Sequence, residues 1–217
     1  MFTPSKKIDS PQHSPHKGLV DIVDKHNTTV FLKPISAYTQ SAFERAYEYW
    51  IKSGRPNVIL DSACGTGESS RYFSEICPDY LVIGVDQSLA RLQNSANGDL
   101  AENCLLLRCD CTDFWRLSRQ SQWFFKKHVL LYPNPWPKGK HLQRRWHGHP
   151  AFPDLVAVSE SIELRSNWKM YALEFANALR QLGRDSVCQA FAAEHPITAF
   201  ERKYKRSGHE LWQVRAG

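Results

Sequence analysis

Val58-Ile59-Leu60-Asp61-Ser62-Ala63-Cys64-Gly65-Thr66-Gly67 is the stretch that decides the fold. Three consecutive branched or leucyl side chains with no polar alternation read as a strand buried on both faces, the kind that parallel sheets contain. The run ends in an acid. Gly65 and Gly67 then allow a tight turn and a close approach of backbone to a ligand. Ser69 to Ile76 follows at helical spacing, with Tyr72, Phe73 and Ile76 directed inward. Strand, glycine turn and helix make one α/β unit, and the start of that helix offers unpaired amides to a carboxylate or phosphate.

The same alternation continues downstream. Tyr80 to Val85 reads as a second strand ending in Asp86, and Ser88 can cap the next helix, which runs to about Asn97. Cys104 to Arg108 is a third strand, ending near Asp110, with a helix over Phe114 to Gln120. His128 to Tyr132 is a fourth strand, Ser161 to Leu164 a fifth, Ser186 to Ala193 a sixth and Gly208 to Val214 a seventh. A well-patterned helix spans Trp168 to Leu182 and stops at Gly183. Upstream, Pro34 to Ser53 reads as a helix stopped by Gly54 and Pro56, preceded by a short helical pattern through Leu19, Ile22 and Val23. Residues 1–17, rich in Ser, Pro, Lys and His, read as a mobile arm. The pattern predicts an α/β fold with a doubly wound, mostly parallel seven-stranded sheet and helices on both faces.

Composition bounds the function. The 217 residues suit one main domain, and 42% hydrophobic with 12% aromatic residues supply a real core, which excludes a disordered chain or a disulfide miniprotein. Lys plus Arg is 28 and Asp plus Glu is 22, so the balance is 28 − 22 = +6, which permits a polyanionic partner. No apolar run approaches the ~20 residues that span a bilayer. The N-terminal segment has no apolar core of a secretory signal, and the six cysteines form no CxxC pair. They read as buried thiols, so a cytoplasmic location without membrane or metal is expected.

Two acids extend the glycine turn. Asp86 closes the second strand about twenty residues after the glycines, where a ribose-binding carboxylate belongs. Asp110 closes the third, where an adenine amino group would lie. The plain structural alternative for both is helix capping. The third glycine of a dinucleotide fingerprint is missing, because Ser70 stands there, and no Gly-Lys-Ser/Thr run makes a P-loop. The Asp-x-Ala-Cys-Gly-Thr-Gly turn resembles instead the first motif of the class I S-adenosylmethionine-dependent methyltransferases. That resemblance implies a Rossmann-like methyltransferase fold over 57–217, behind a helical segment at 18–56. It also implies S-adenosylmethionine held by Asp61, Ala63, Gly65, Gly67, Asp86, Gln87, Asp110 and Cys111.

A second signal leaves the end of the fourth strand: Asn134-Pro135-Trp136-Pro137-Lys138-Gly139-Lys140-His141-Leu142-Gln143-Arg144-Arg145. Prolines stiffen the backbone, the cations suit phosphates, and Trp136 offers a face for stacking. A solvated basic loop is the plain alternative. The run resembles the signature of the tRNA (guanine-N7)-methyltransferase family, in which Asp-Pro-Trp-Pro-Lys precedes a His and an Arg pair. Arg165-Ser166-Asn167-Trp168, with Tyr171, and Thr198-Ala199-Phe200-Glu201-Arg202-Lys203, with Gly208, resemble later motifs of that family. The resemblance implies tRNA as substrate, with Trp136, Lys138, His141, Arg144, Arg145, Thr198 and Lys203 contacting it and Asn134, Asn167 and Glu201 around the reacting base.

The departures from the family pattern are as informative. Asn134 and Asn167 stand where the family has acids, Gly139 replaces a usual cation, and the stretch from Arg145 to Ser161 lacks the Pro-Gly-Gly turn. The chain reads as a divergent member. Guanine N7 carries an unprotonated lone pair, so the chemistry needs alignment more than a base; nearby carboxylates would orient the base and stabilise its developing charge. Two other readings stay open. Asn134-Pro135-Trp136 also resembles the Asn-Pro-Pro-aromatic motif of amino-methyltransferases, and the two acid-to-Asn changes suit a non-catalytic RNA-binding relative. A metal hydrolase using Cys109, Cys111, His147 and His149 fits poorly, because the ligand spacing is wrong.

Overall fold

The computed structural model describes residues 3–94 and 100–217. Seven strands form one sheet: β1 (Val58–Ser62), β2 (Leu81–Asp86), β3 (Cys104–Arg108), β4 (Phe125–Leu131), β5 (Ser159–Ser166), β6 (Ser186–Ala190) and β7 (Trp212–Ala216). Their order is β3-β2-β1-β4-β5-β7-β6. β1 runs parallel to β2 and to β4, and β2 parallel to β3, whereas β7 is antiparallel to both β5 and β6. Strand β6 stops three residues short of the run that predicts it. It lies at an edge of the sheet with its side chains partly or fully exposed, and beyond it the Phe191 amide still donates to the Leu211 carbonyl (3.0 Å). Strand β7 lies at 212–216 rather than 208–214.

Helices are α1 (Leu19–Thr28), α2 (Ala37–Lys52), α3 (Glu68–Ile76), α4 (Leu89–Gln93), α5 (Cys111–Gln120), α6 (Phe152–Ala157), α7 (Lys169–Gln181) and α8 (Ala199–Arg206). Ser88 caps α4 as expected, accepting from the Arg91 amide. Positions 95–97, which the sequence pattern assigns to the same helix, lie outside the described residues. Gly183 (φ 78) ends α7, and the Arg184 amide reaches back to the Leu179 carbonyl, the left-handed stop that glycine favours.

The chain divides into two compact units. The glycine-turn unit comprises 32–131 and 157–161; the loop unit comprises the residues up to Phe31, 132–156 and 162–217. The helical segment expected at 18–56 is thus shared, α1 going to the loop unit and α2 to the glycine-turn unit. In the glycine-turn unit, Phe43 on α2 packs edge-on against Phe114 (5.3 Å) and Trp123 (5.6 Å). His128 on β4 is fully buried between the Ser62 and Ser159 hydroxyls, each at 2.8 Å. Burial pushes it down to about 3, so it is a neutral hydrogen-bonding group of the core.

In the loop unit, α7 buries Met170, Tyr171, Phe175, Ala178 and Leu179, and Phe175 meets Phe152 of α6 edge-on at 5.5 Å. Residues 3–17 carry no helix or strand, yet they are tied down. The Ser5 amide donates to Ser207 Oγ (2.8 Å), Ser10 Oγ to the Pro137 carbonyl (2.8 Å), and the His16 amide to Glu174 Oε1 (2.7 Å).

Candidate active site

In the glycine-turn unit, three residues of one turn take left-handed backbone: Ala63 (φ 60), Gly65 (φ 63) and Gly67 (φ 74). A side chain at Gly67 would also meet Leu106 Cδ1 at 2.4 Å, so that flexible leucyl end would have to shift, but the left-handed angle is the main reason for glycine there. At Gly65 a Cβ would meet nothing within 4 Å; the turn is open on that side. Asp86 Oδ2 accepts the Gly65 amide (2.9 Å) and Oδ1 the Ser88 amide (2.8 Å), fixing the carboxylate at the end of β2. Asp61 lies buried at the end of β1, with Oδ2 accepting from Ser69 (2.6 Å) and Ser70 (2.7 Å). Its Oδ1 has no partner among the described residues, and burial, with Asp86 nearby, pushes the carboxyl up to about 6.

The other cofactor candidates sit differently. Asp110 caps α5: Oδ1 accepts the Thr112 amide (2.9 Å) and hydroxyl (2.7 Å), and Oδ2 takes Lys33 Nζ (2.8 Å). Burial would raise it, but Lys33 and Thr112 outweigh burial and hold it below the usual carboxylate range. Asp110 thus caps α5, the plain alternative, with its second oxygen on Lys33. Gln87 is exposed, and its carbonyl accepts from Arg108. Cys111 is buried, 3.9 Å from the Val85 carbonyl, and burial raises its thiol. Cys64, Cys104, Cys109 and Cys188 are likewise free thiols raised by burial.

In the loop unit, the segment after β4 folds into two short 3-10 turns, Gly139–Arg144 and Trp146–Gly148. Trp136 sits at φ 46, uncommon for a large side chain. Arg144 lies over its ring at 4.7 Å and His141 meets it edge-on at 5.5 Å. Burial and the cations Arg144, Lys140 and Lys138 keep His141 below its ordinary value, so it is neutral at pH 7. Asn134, Lys138 and Arg144 are exposed; Asn134 Oδ1 makes only a long contact with the Trp136 amide, 3.4 Å.

Arg145 requires a correction. Expected as a phosphate contact, it is 0% exposed. Its Nη1 pairs with Glu174, its Nη2 donates to Gln12 Oε1 and to the Trp136 carbonyl (3.0 Å each), and its guanidinium covers the Trp168 ring at 4.9 Å. Arg145 is the rivet beneath the loop. Glu174, which no motif in the sequence marks, is its counter-charge and also takes Gln12 Nε2 (2.5 Å) and His147 Nε2 (3.0 Å). Burial alone would raise Glu174, but these partners override it and hold the carboxyl down at about 2. A lone acid among the apolar positions of a well-patterned helix is the signal that points to it.

Glu201 is also fully buried, with both oxygens engaged. Oε1 accepts from Tyr132 Oη (2.6 Å) and Arg165 Nη1 (2.9 Å), and Oε2 accepts the Ile197 amide (2.8 Å). Thr198 caps α8 by accepting the Glu201 amide (3.0 Å). Asn167 is half-buried with Nδ2 on His209 Nδ1 (3.1 Å), and Lys203 is exposed on α8. The loop unit therefore brings Trp136, His141 and Arg144 together, and separately Glu201, Thr198 and Tyr132.

Known proteins add to this geometry. A family model described as "Putative methyltransferase" matches residues 55–214. The tRNA (guanine-N(7)-)-methyltransferase of Pseudomonas fluorescens SBW25 is 30% identical over 168 residues, 72% of this chain and 69% of that protein. The chain belongs to the tRNA (guanine-N7)-methyltransferase family. Another member, from Stutzerimonas stutzeri, is 27% identical over 164 residues, covering 70% of this chain and 68% of its own. Within this family the chain is divergent, at 27–30% identity to these members.

Solved structures agree on the fold. An antibiotic-related methyltransferase superposes with a TM-score of 0.59 at 12% identity, covering 88% of this chain and 96% of its own. The 16S rRNA (adenine(1408)-N(1))-methyltransferase of Catenulisporales acidiphilia gives 0.55 at 16% identity, covering 78% and 89%. Among the described residues, no group of three His, Cys, Asp or Glu side chains could hold a metal, and no helix is long and apolar enough to cross a membrane.

Proposed function

We propose that this chain transfers a methyl group from S-adenosylmethionine to N7 of a guanine in tRNA. The observation that carries the reading is the loop after β4: a Pro-Trp-Pro unit riveted from below by Arg145, with exposed Lys138, Lys140 and Arg144 on it, in a chain of this family. The glycine-turn unit fits the cofactor. S-adenosylmethionine, when bound, supplies an electrophilic sulfonium methyl, and it carries a diol and an ammonium group for which carboxylates are natural acceptors. Asp86 takes one amide on each oxygen, with Arg91 Nη1 3.6 Å from Oδ2, and keeps lone pairs for a diol. Asp61 Oδ1 has no hydrogen-bond partner among the described residues, and the turn beside it is open at Gly65.

On the RNA side, the exposed Asn134 amide can accept from the guanine N1–H or amino group without placing a charge there, while Trp136 walls the base and Lys138 and Arg144 take phosphates. Glu201 acts as a positioning residue, because its oxygens hold Tyr132 and Arg165. The test is transfer of tritiated methyl from S-adenosylmethionine into total tRNA followed by nucleoside analysis. N7-methylguanosine is the expected product. Label on an exocyclic nitrogen would establish an amino-methyltransferase instead, and no incorporation with any tRNA pool would leave a non-catalytic relative.

A further inference from the structure

We infer that α8 presents a stacking platform, Phe200, to an unpaired RNA base. The inference rests on the tRNA reading above and names a surface that reading does not use. Phe200 is the aromatic residue of the Thr-x-Phe-Glu-x-Lys motif, yet it is 56% exposed, so packing does not account for it. One helical turn on, Tyr204 stacks with it at 6.0 Å and 24°. Tyr204 in turn stacks with His209 at 5.2 Å and 18°. The three rings form a ladder whose outer rung is bare.

The inner rungs are held still. His209 is bracketed by Asn167 Nδ2 (3.1 Å) on Nδ1 and by the Ser5 carbonyl (3.0 Å) on Nε2, an arrangement that suits the Nε2–H tautomer. Tyr132, whose hydroxyl is on Glu201, closes against Tyr204 at 5.5 Å. A ring docked on Phe200 therefore meets a surface already ordered, which lowers the entropic cost of binding.

Charge selects the partner. The helix Ala199–Arg206 carries Arg202, Lys203, Lys205 and Arg206 against one acid, Glu201, which is buried. All four cations are exposed, and Lys205 Nζ donates to the Ala193 and Glu194 carbonyls. An exposed π-face on a helix rich in cations matches a nucleotide, whose base stacks while its phosphate meets the charges. A duplex keeps its base faces covered, so the occupant is a single-stranded or looped segment of RNA.

The experiment compares the full chain with Phe200→Ala, Phe200→Leu and Phe200→Tyr. Fluorescence anisotropy measures binding to a labelled short single-stranded RNA, to tRNA and to a labelled blunt-ended RNA duplex of two strands. The Ala and Leu variants are expected to lose about tenfold in affinity for the single strand, by the same factor at low and high salt. Phe200→Tyr keeps the π-face and should bind as the parent does. Binding to the duplex should be unchanged in every variant, and all melting temperatures should match because the ring is more than half exposed. Should the parent transfer no methyl to tRNA, the functional reading falls, while single-strand binding still decides the platform. A Leu variant that binds like the parent overturns it, since only the π-face was removed. So does a self-association lost in Phe200→Ala with RNA affinity unchanged, which would make this a protein-docking face.

Discussion

Replacing Glu174 by Gln removes one charge from a cluster in which Glu174, Arg145 and His147 are all 0% exposed. His147 is held below its ordinary value by burial, so Arg145 is the cation of the cluster. Breaking a buried pair by neutralising one partner leaves the other charge uncompensated, at a cost of about 3–5 kcal/mol. The titration of Glu174 points the same way: a carboxyl moved from 4.5 to about 2 corresponds to roughly 3 kcal/mol. That is a large part of the ~5–15 kcal/mol that holds a domain together. Because the folded-state carboxyl titrates below its unfolded value, this stabilisation is complete above about pH 4.5 and is lost as pH falls through about 2. Urea melts followed by tryptophan fluorescence should show Glu174→Gln about 3 kcal/mol less stable than the parent at neutral pH. The difference should shrink by more than half near pH 3, roughly. A variant within about 1 kcal/mol of the parent at neutral pH, or a difference that does not narrow in acid, would refute the account of the cluster.

Three further outcomes follow from the site. Asp86→Ala should weaken S-adenosylmethionine binding by roughly 30-fold or more, since charge-assisted acceptors of a diol are lost; unchanged affinity by calorimetry would take Asp86 out of the site. Removing Lys138 and Arg144 together should weaken tRNA binding and reduce the log–log salt slope by roughly 1.5. Arg145 is left out of that variant because it is buried on Glu174, Gln12 and the Trp136 carbonyl, and equal slopes would show that the exposed pair does not touch phosphate. Asn134→Asp, at an exposed position, should keep methyl transfer or raise it up to about tenfold by restoring a charge to the base, and a collapse of N7-methylguanosine formation in that variant would count against the guanine-N7 reading.

The parallel half of the fold is legible because buried strands and glycine turns leave local marks. Val58–Leu60 and Leu81–Val85 have no polar interruption, and each ends in an acid. The apolar pattern of β4 begins only at His128 because Lys126 and Lys127 mask the strand's start; in the structure Lys127 lies over the Phe73 ring at 5.2 Å, its stem covering apolar surface. Helix α8 escapes pattern reading for the opposite reason. Arg202, Lys203, Lys205 and Arg206 leave no apolar stripe, although Thr198 and Glu201 three residues apart are a capping signal in plain view. At the site, the sequence marks motif positions but not their depth. A cation in a basic run reads as a surface group, and nothing local distinguishes Arg145, which is sealed in by Glu174 and Gln12, from Arg144, which faces solvent. That distinction depends on partners 29 and 133 positions away.

The tie between the first residues and the last part of the chain sets a timetable. Gln12 and Glu174 are separated by 162 positions, and Ser5 and Ser207 by 202. At a synthesis rate of about 5–20 residues per second, the leading segment spends roughly 10–40 s outside the ribosome before those partners emerge. During that interval Gln12 has no acid to bind and Arg145, once made, has none either. The glycine-turn unit, nearly all of it contiguous in 32–131, faces no such delay. Its strands can pair as they appear, while the loop unit becomes complete only once Glu174 and Ser207 have been made.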